Sequence, residues 1–309
     1  MKRERVNPIE DNNNKMQKTT SMETLQNNLY KNAKIKQTLS ECLEVALEKG
    51  PALQPTDFER FDSMHYLGAK SLLEFCDTLP IDSKWKCVDV GAGYGSTSRM
   101  LAWKYSCKVH AIEYQPDVLK AGFVLNRLQG LSQLVTFVGL DITTLGAPNL
   151  NQQPSSSASH PPANTTTERP ITSNQDQDSK QNLELEILSK YDLLDHDLLV
   201  SQLVFLHVED KTKCFNNISK LLKPKGLFYI EDYYIFDNVQ LTNDERNICE
   251  LDIAIPKGKI STKTEYEKLL NDSGMEIMEW RDMTDLWTDF VWSRFDRFLH
   301  QVEDLEIKQ

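Results

Sequence analysis

Cys87-Val88-Asp89-Val90-Gly91-Ala92-Gly93-Tyr94-Gly95 is the stretch on which the reading of this 309-residue chain turns. A β-branched run ends in three glycines at alternate positions, and a helical pattern follows. That is how a strand turning sharply into a helix is written. Glycine has no Cβ, so it takes positive φ and lets backbone approach a ligand closely, while the next helix offers free N–H groups. The pattern predicts a nucleotide-like ligand lying over the turn. Its spacing is G-x-G-x-G, not the G-x-G-x-x-G of dinucleotide folds. A tight turn with no ligand would also explain the glycines, so the residues downstream have to decide.

Lys108-Val109-His110-Ala111-Ile112-Glu113 reads as a second strand ending in an acid, at the distance where such folds set a carboxylate on two ribose hydroxyls. Pro116-Asp117 opens a helix with Val118, Leu119, Phe123 and Leu128 in its apolar pattern. Leu134 to Val138 reads as a third strand, followed by Asp141-Ile142: an acceptor for an exocyclic adenine amine and an apolar wall for its ring. Taken singly, Glu113 and Asp141 are ordinary loop acids or caps. In order after the glycine turn, they resemble the class I S-adenosylmethionine (SAM) methyltransferases. The resemblance implies an α/β, Rossmann-like fold, with a mostly parallel seven-stranded sheet and helices on both faces. It also implies SAM as cofactor, held by Asp89, Gly91, Gly93, Gly95, Glu113, Asp141, Ile142 and Ser201.

The likeness continues after an insertion. Asp197 to His207 looks like the fourth strand and its loop, and Leu221 to Tyr233 like a turn and fifth strand. Met64 to Gly68, Thr264-Glu265-Tyr266 and Asp282 to Trp287 are similar to segments of the sarcosine, dimethylglycine and phosphoethanolamine N-methyltransferase group. That group implies a small-molecule acceptor, an amine nitrogen, and in-line methyl transfer in which the protein mainly fixes geometry and excludes water. An amine must expose its lone pair, so a group of near-neutral pKa is useful. His207, just past the fourth strand, is the first candidate for this catalytic role and Tyr66 the second; Gln202, Asp232 and Tyr233 are candidates for the substrate pocket. A packing histidine and a core tyrosine are the alternatives.

Departures from the group also carry information. Ser201-Gln202-Leu203 stands where the phosphobase enzymes read Ser-Arg-Asp or similar, and Leu203 cannot hold a cation by charge. Ile255 to Lys259 supplies two lysines but no Arg and Tyr pair for a phosphate, which speaks against a phosphorylated substrate. Trp280, Trp287 and Trp292 could wall a methylated cation by cation–π attraction, although aromatic spacing in a helix also builds core.

A formal charge of −11 argues against broad nucleic-acid or anionic-membrane binding, because a phosphate surface needs a basic face. Six cysteines without a CxxC pair read as reduced thiols and not as a zinc or disulfide frame, which points to a reducing, cytoplasmic compartment. There is no run of ~18 apolar residues, and the start is polar, unlike a signal peptide.

Three parts divide the chain. Residues 1–36 read as a disordered tail, with a short helix over Met22 to Tyr30 as an alternative. Residues 37–309 read as one methyltransferase domain, with a helical cover (Leu39 to Leu47, ending at Gly50-Pro51) and a disordered insertion over 146–182 rich in Pro, Ser, Thr, Asn and Gln. A nicotinamide dehydrogenase is disfavoured by the glycine spacing. Protein and nucleic-acid methyltransferases are the nearer rivals, but the Asn/Asp-Pro-Pro-Tyr signature of amide and adenine amino methylation is missing. A SAM-binding or assembly protein without turnover is favoured by Leu203 and opposed by the full glycine and acid set. The acceptor, the number of methyl transfers and the oligomeric state are left open by the sequence.

Overall fold

The computed structural model describes residues 32–145 and 184–307. The tail expected over 1–36 falls mostly outside them, as do the Met22 to Tyr30 helix and the 146–182 insertion. Five parallel strands form one sheet in the order β3-β2-β1-β4-β5: β1 (Lys86–Val90), β2 (Lys108–Glu113), β3 (Val135–Gly139), β4 (His196–Gln202) and β5 (Leu222–Glu231). The α/β Rossmann-like expectation holds. The expected strand count does not: among the described residues there are five strands, not seven. Residues 275–283, after the last crossover, take no ladder partner and contribute Met275, Ile277 and Trp280 to the core by side-chain packing alone.

The strands are apolar on both faces because both are covered, as in parallel sheets generally. Val88, Val90, Ile112, Val138 and Leu199 build the core on one face, and Cys87, Val109, Ala111, Leu198 and Val200 build the other. The period of two along β1 therefore divides the strand between two cores.

Helices α1 (Asn32–Lys49), α2 (Glu59–Asp62) and α3 (Lys70–Cys76) precede the sheet. The cover helix predicted from Leu39 thus starts at Asn32, and it ends where Gly50 takes φ +53 ahead of Pro51. Helices α4 (Ser96–Tyr105) and α5 (Pro116–Leu128) connect β1 to β2 and β2 to β3. Helix α6 (184–190) leads to β4, and α7 (Lys211–Ser219) links β4 to β5. After β5 come α8 (Asn243–Asn247), α9 (Lys263–Asp272) and the 24-residue α10 (Thr284–Ile307). No helix among the described residues is long and apolar enough to cross a membrane.

The cover is held by packing and by one buried ion pair. Ile35 and Cys42 of α1 pack with Phe58, Val118 and Leu125 around Tyr94, whose ring leaves the glycine turn and is 1% exposed. Arg99 of α4 pairs with Asp62 of α2, both fully buried, and also donates to the carbonyl of Tyr94. Burial pushes the Asp62 carboxyl up to about 6 against the pull of Arg99.

Candidate functional site

The strands run outward from β1 to β3 on one side and from β4 to β5 on the other. Neighbours β1 and β4 therefore mark the point where the order reverses, and ligands of open α/β sheets sit at the carboxyl edge there. The glycine turn occupies that edge. Gly91 and Gly93 take φ +73 and +56; a Cβ on Gly91 would come within 2.2 Å of Val204, whereas one on Gly93 would meet only the tip of Met64, at 3.3 Å. The N–H groups of Gly91 and Ala92 both reach the Ile112 carbonyl at 2.9 Å, which bends the chain off β1.

Glu113, ending β2, is bound to that turn. Its Oε2 accepts the Gly93 N–H (2.9 Å) and its Oε1 the Gln115 N–H (2.7 Å), while burial raises its pKa against these bonds. Asp89 lies behind the turn, accepts from Ser98 at 2.6 Å, and is pushed up to about 7 by burial. Ser201 ties β4 to β1 through the Val90 carbonyl (3.1 Å). Asp141 stands past β3, but its Oδ1 accepts from both the N–H and hydroxyl of Thr143 and its Oδ2 from Thr144, so it also shapes its own loop. Ile142 is buried beside it, its carbonyl held by Asn217 at 2.9 Å.

An aromatic cluster is assembled from three distant pieces of chain. Tyr66, in the cover, meets Tyr233 hydroxyl to hydroxyl; Trp287 stacks on Tyr66 with centroids 4.8 Å apart, and Phe290 meets it edge-on at 6.2 Å. Of the three expected tryptophans, Trp287 alone joins this cluster. Trp280 packs on Tyr234 and Tyr266, and Trp292 lies exposed beside Phe295. Five helical residues separate Trp287 from Trp292, which turns them about 140° apart.

His207 ends a 3-10 turn (Phe205–His207) past β4, with Nδ1 3.0 Å from the Ala254 carbonyl. A carbonyl only accepts, so Nδ1 carries the proton and Nε2 keeps its lone pair. Burial lowers the His207 pKa from 6.5, which keeps the ring neutral near pH 7. Asp232 accepts from the Tyr266 hydroxyl and the Tyr233 N–H, both at 2.8 Å, and burial pushes it up to about 7.

Gln202, expected against the substrate, is only 4% exposed and is clasped between Thr97 and Glu231. Leu203 follows at φ +57, where the chain leaves the sheet.

Comparison with known proteins finds the same fold. Phosphoethanolamine N-methyltransferase 2 of Haemonchus contortus, solved with phosphomonomethylethanolamine and S-adenosylhomocysteine, superposes with a TM-score of 0.58 over 94% of this chain and 53% of that one, at 14% identity. The same enzyme with SAM gives 0.55 over 88% and 49%, also at 14%. At that identity the likeness concerns the fold. The methyltransferase-domain family matches residues 173–279. Over that segment the chain is similar in sequence to methyltransferase domains. Curated relatives include phosphoethanolamine N-methyltransferase 1 of Zea mays, 26% identical over 168 residues, and that of Arabidopsis thaliana, 26% over 166. Each match covers 54% of this chain but only 24% of the relative, so the matched part spans about a quarter of the length of these relatives.

The glycine turn lies outside the family match, so the two observations are independent. Four residues at this edge of the sheet escaped sequence reasoning: Met64 over Gly93, His65 on Thr97, Tyr94 under the cover, and Glu231. Only Glu231 left a signal, an acid ending the fifth strand as Glu113 ends the second.

Proposed function

We propose that the chain transfers a methyl group from SAM to the nitrogen of a small amine. Glu113 carries this reading: a half-buried carboxylate clipped to an open glycine backbone at the switch point has remaining lone pairs suited to vicinal hydroxyls. Hydroxyl donors would restore to it what burial withdraws. Gly91, Gly93, Gly95, Glu113, Asp141 and Ile142 would hold SAM, with Asp89 and Ser201 bracing the turn from behind. SAM, when bound, supplies a methyl group already activated on its sulfonium.

The chain's own part is position, dryness and one proton. The neutral Nε2 of His207 takes the proton of the ammonium and frees its lone pair. Tyr66, Tyr233, Trp287 and Phe290 form an aromatic wall that excludes water and attracts a cation, while the Tyr66 hydroxyl orients the acceptor. Relatives named for phosphoethanolamine support an amine; the missing phosphate-binding pair at Ile255 to Lys259 favours an unphosphorylated one. Six free thiols, five of them buried, fit a reducing, cytoplasmic setting.

Calorimetry against SAM, S-adenosylhomocysteine and NAD tests the cofactor. The first two should bind and NAD should not. Labelled SAM with ethanolamine, phosphoethanolamine and their N-methylated derivatives tests the acceptor. Binding of SAM with no amine labelled would favour the second reading, a SAM-binding protein without turnover, which Leu203 supports by removing a charge from the pocket.

A further inference from the structure

Glu231, Gln202, Thr97 and His65 form a hydrogen-bonded chain whose direction is fixed from one end. Glu231 is a buried carboxylate that accepts from the Tyr229 hydroxyl on Oε1, so its Oε2, 3.0 Å from Gln202 Nε2, accepts as well. The Gln202 amide is thereby oriented with Oε1 towards Thr97, and at 2.7 Å the Thr97 hydroxyl gives it its single proton. What Thr97 then offers His65 Nδ1, 3.4 Å away, is a lone pair. Nδ1 must carry the proton, and Nε2 is left as an acceptor. Burial pushes His65 down to about 4, so the ring stays neutral near pH 7.

The position of His65 says what that acceptor can meet. Its neighbour Met64 covers Gly93 of the glycine turn, and its other neighbour Tyr66 is bonded to Tyr233 and stacked on Trp287. His65 thus sits in the strap joining the cofactor turn to the aromatic wall. Along the same edge, every carboxylate oxygen of Glu231 and Asp232 already has a donor, and Glu113 and Asp141 face the cofactor side. The His65 Nε2 has none among the described residues.

We propose that His65 holds one N–H of the incoming amine through Nε2, and so selects primary and secondary amines over tertiary ones. This rests on the amine reading above. A primary or secondary ammonium that gives one proton to His207 still has an N–H for His65. A tertiary ammonium has one N–H in all; once His207 takes it, His65 faces nothing it can accept from. Thr97, Gln202 and Glu231 are positioning residues that set the tautomer.

Two measurements test this. Long-range proton–nitrogen spectra of histidine-labelled protein with S-adenosylhomocysteine should show His65 protonated on Nδ1, and Thr97→Val should shift it towards Nε2–H. An Nε2–H tautomer in the unaltered protein overturns the proposal. In the second, ethanolamine, phosphoethanolamine and their N-methyl and N,N-dimethyl derivatives are compared as substrates or competitive inhibitors. His65→Leu should weaken binding of primary and secondary members by about tenfold, with the tertiary members and SAM affinity unmoved. His65→Gln, which keeps an acceptor near the Nε2 position, should recover part of the loss. It also serves if the leucine variant does not fold. An equal effect across the series, or none, overturns the proposal while leaving the function standing; failure of the unaltered protein to methylate any amine sinks both.

Discussion

At the scale of single residues, the turn separates ligand binding from backbone strain. Gly91 and Gly93 both hold positive φ, which costs any L side chain roughly 1–2 kcal/mol. They differ in what a new Cβ meets: Val204 at 2.2 Å in the first case, the mobile end of Met64 at 3.3 Å in the second. Gly93→Ala should therefore lose about 1–2 kcal/mol in urea unfolding, and Gly91→Ala clearly more; equal losses would show that Val204 yields. Glu113 has a comparable double role. Glu113→Ala should weaken SAM binding by about 1.5–3 kcal/mol through lost charged hydrogen bonds. It should also lower the melting temperature, because the Gly93 N–H loses its acceptor. Calorimetry and melting curves on one preparation check both. His207→Ala should reduce turnover by about 10²–10⁴ with SAM affinity kept, the loss shrinking as pH rises and solvent supplies neutral amine; loss of SAM binding and melting temperature together would mark it as structural.

At the scale of elements, buried charge and buried imidazole hold pieces together under different conditions. The Arg99–Asp62 pair joins α4 to α2, and Asp62→Ala strands a buried guanidinium, so about 3–5 kcal/mol of stability should go. The double variant Asp62→Leu with Arg99→Met should recover much of it in denaturant titrations. Across the sheet, His110 Nδ1 lies 2.9 Å from His196 Nε2, and His196 Nδ1 donates to the Leu221 carbonyl. Burial pushes both imidazoles down to about 4 from 6.5. A group with a depressed folded pKa gives stability that is intact above its unfolded pKa and lost as pH falls through the folded one. The pair should therefore subtract stability as pH falls from 6.5 to 4, and His110→Phe should gain stability relative to the unaltered protein across that range. The buried acids Asp62, Asp89 and Asp232, raised to about 6, 7 and 7, pull the other way but are common to both proteins. Parallel slopes in melts across this range would rule the pair out as the source.

At the scale of the whole molecule, Leu140, Ile142 and Leu145 on one side of the 146–182 segment and Leu188 and Leu193 on the other lie in one core cluster. Both flanks are thus anchored by their own packing. Replacing 146–182 by a short Gly/Ser linker should keep a single cooperative melt and SAM binding, because closure entropy changes only slowly with loop length; a broadened melt would show that the segment packs. The strands up to Glu231 and the glycine turn were legible because each depends on local pattern: period two along the strands and glycine where φ is positive. The strand count was not, since residues 275–283 have the composition of a strand but find no ladder partner. Gln202 shows the same limit, as a polar residue after a strand reads alike whether it faces substrate or a buried Glu231. The sequence by itself determined the α/β class and the order of the glycine turn and the strand-ending acids, because these follow from spacing along the chain. Only the tertiary structure decided which aromatic rings meet, which carboxylates are already satisfied and which imidazole nitrogen is free, because Tyr66, Tyr233 and Trp287, or His65, Thr97, Gln202 and Glu231, become neighbours only when distant segments close over one edge of the sheet.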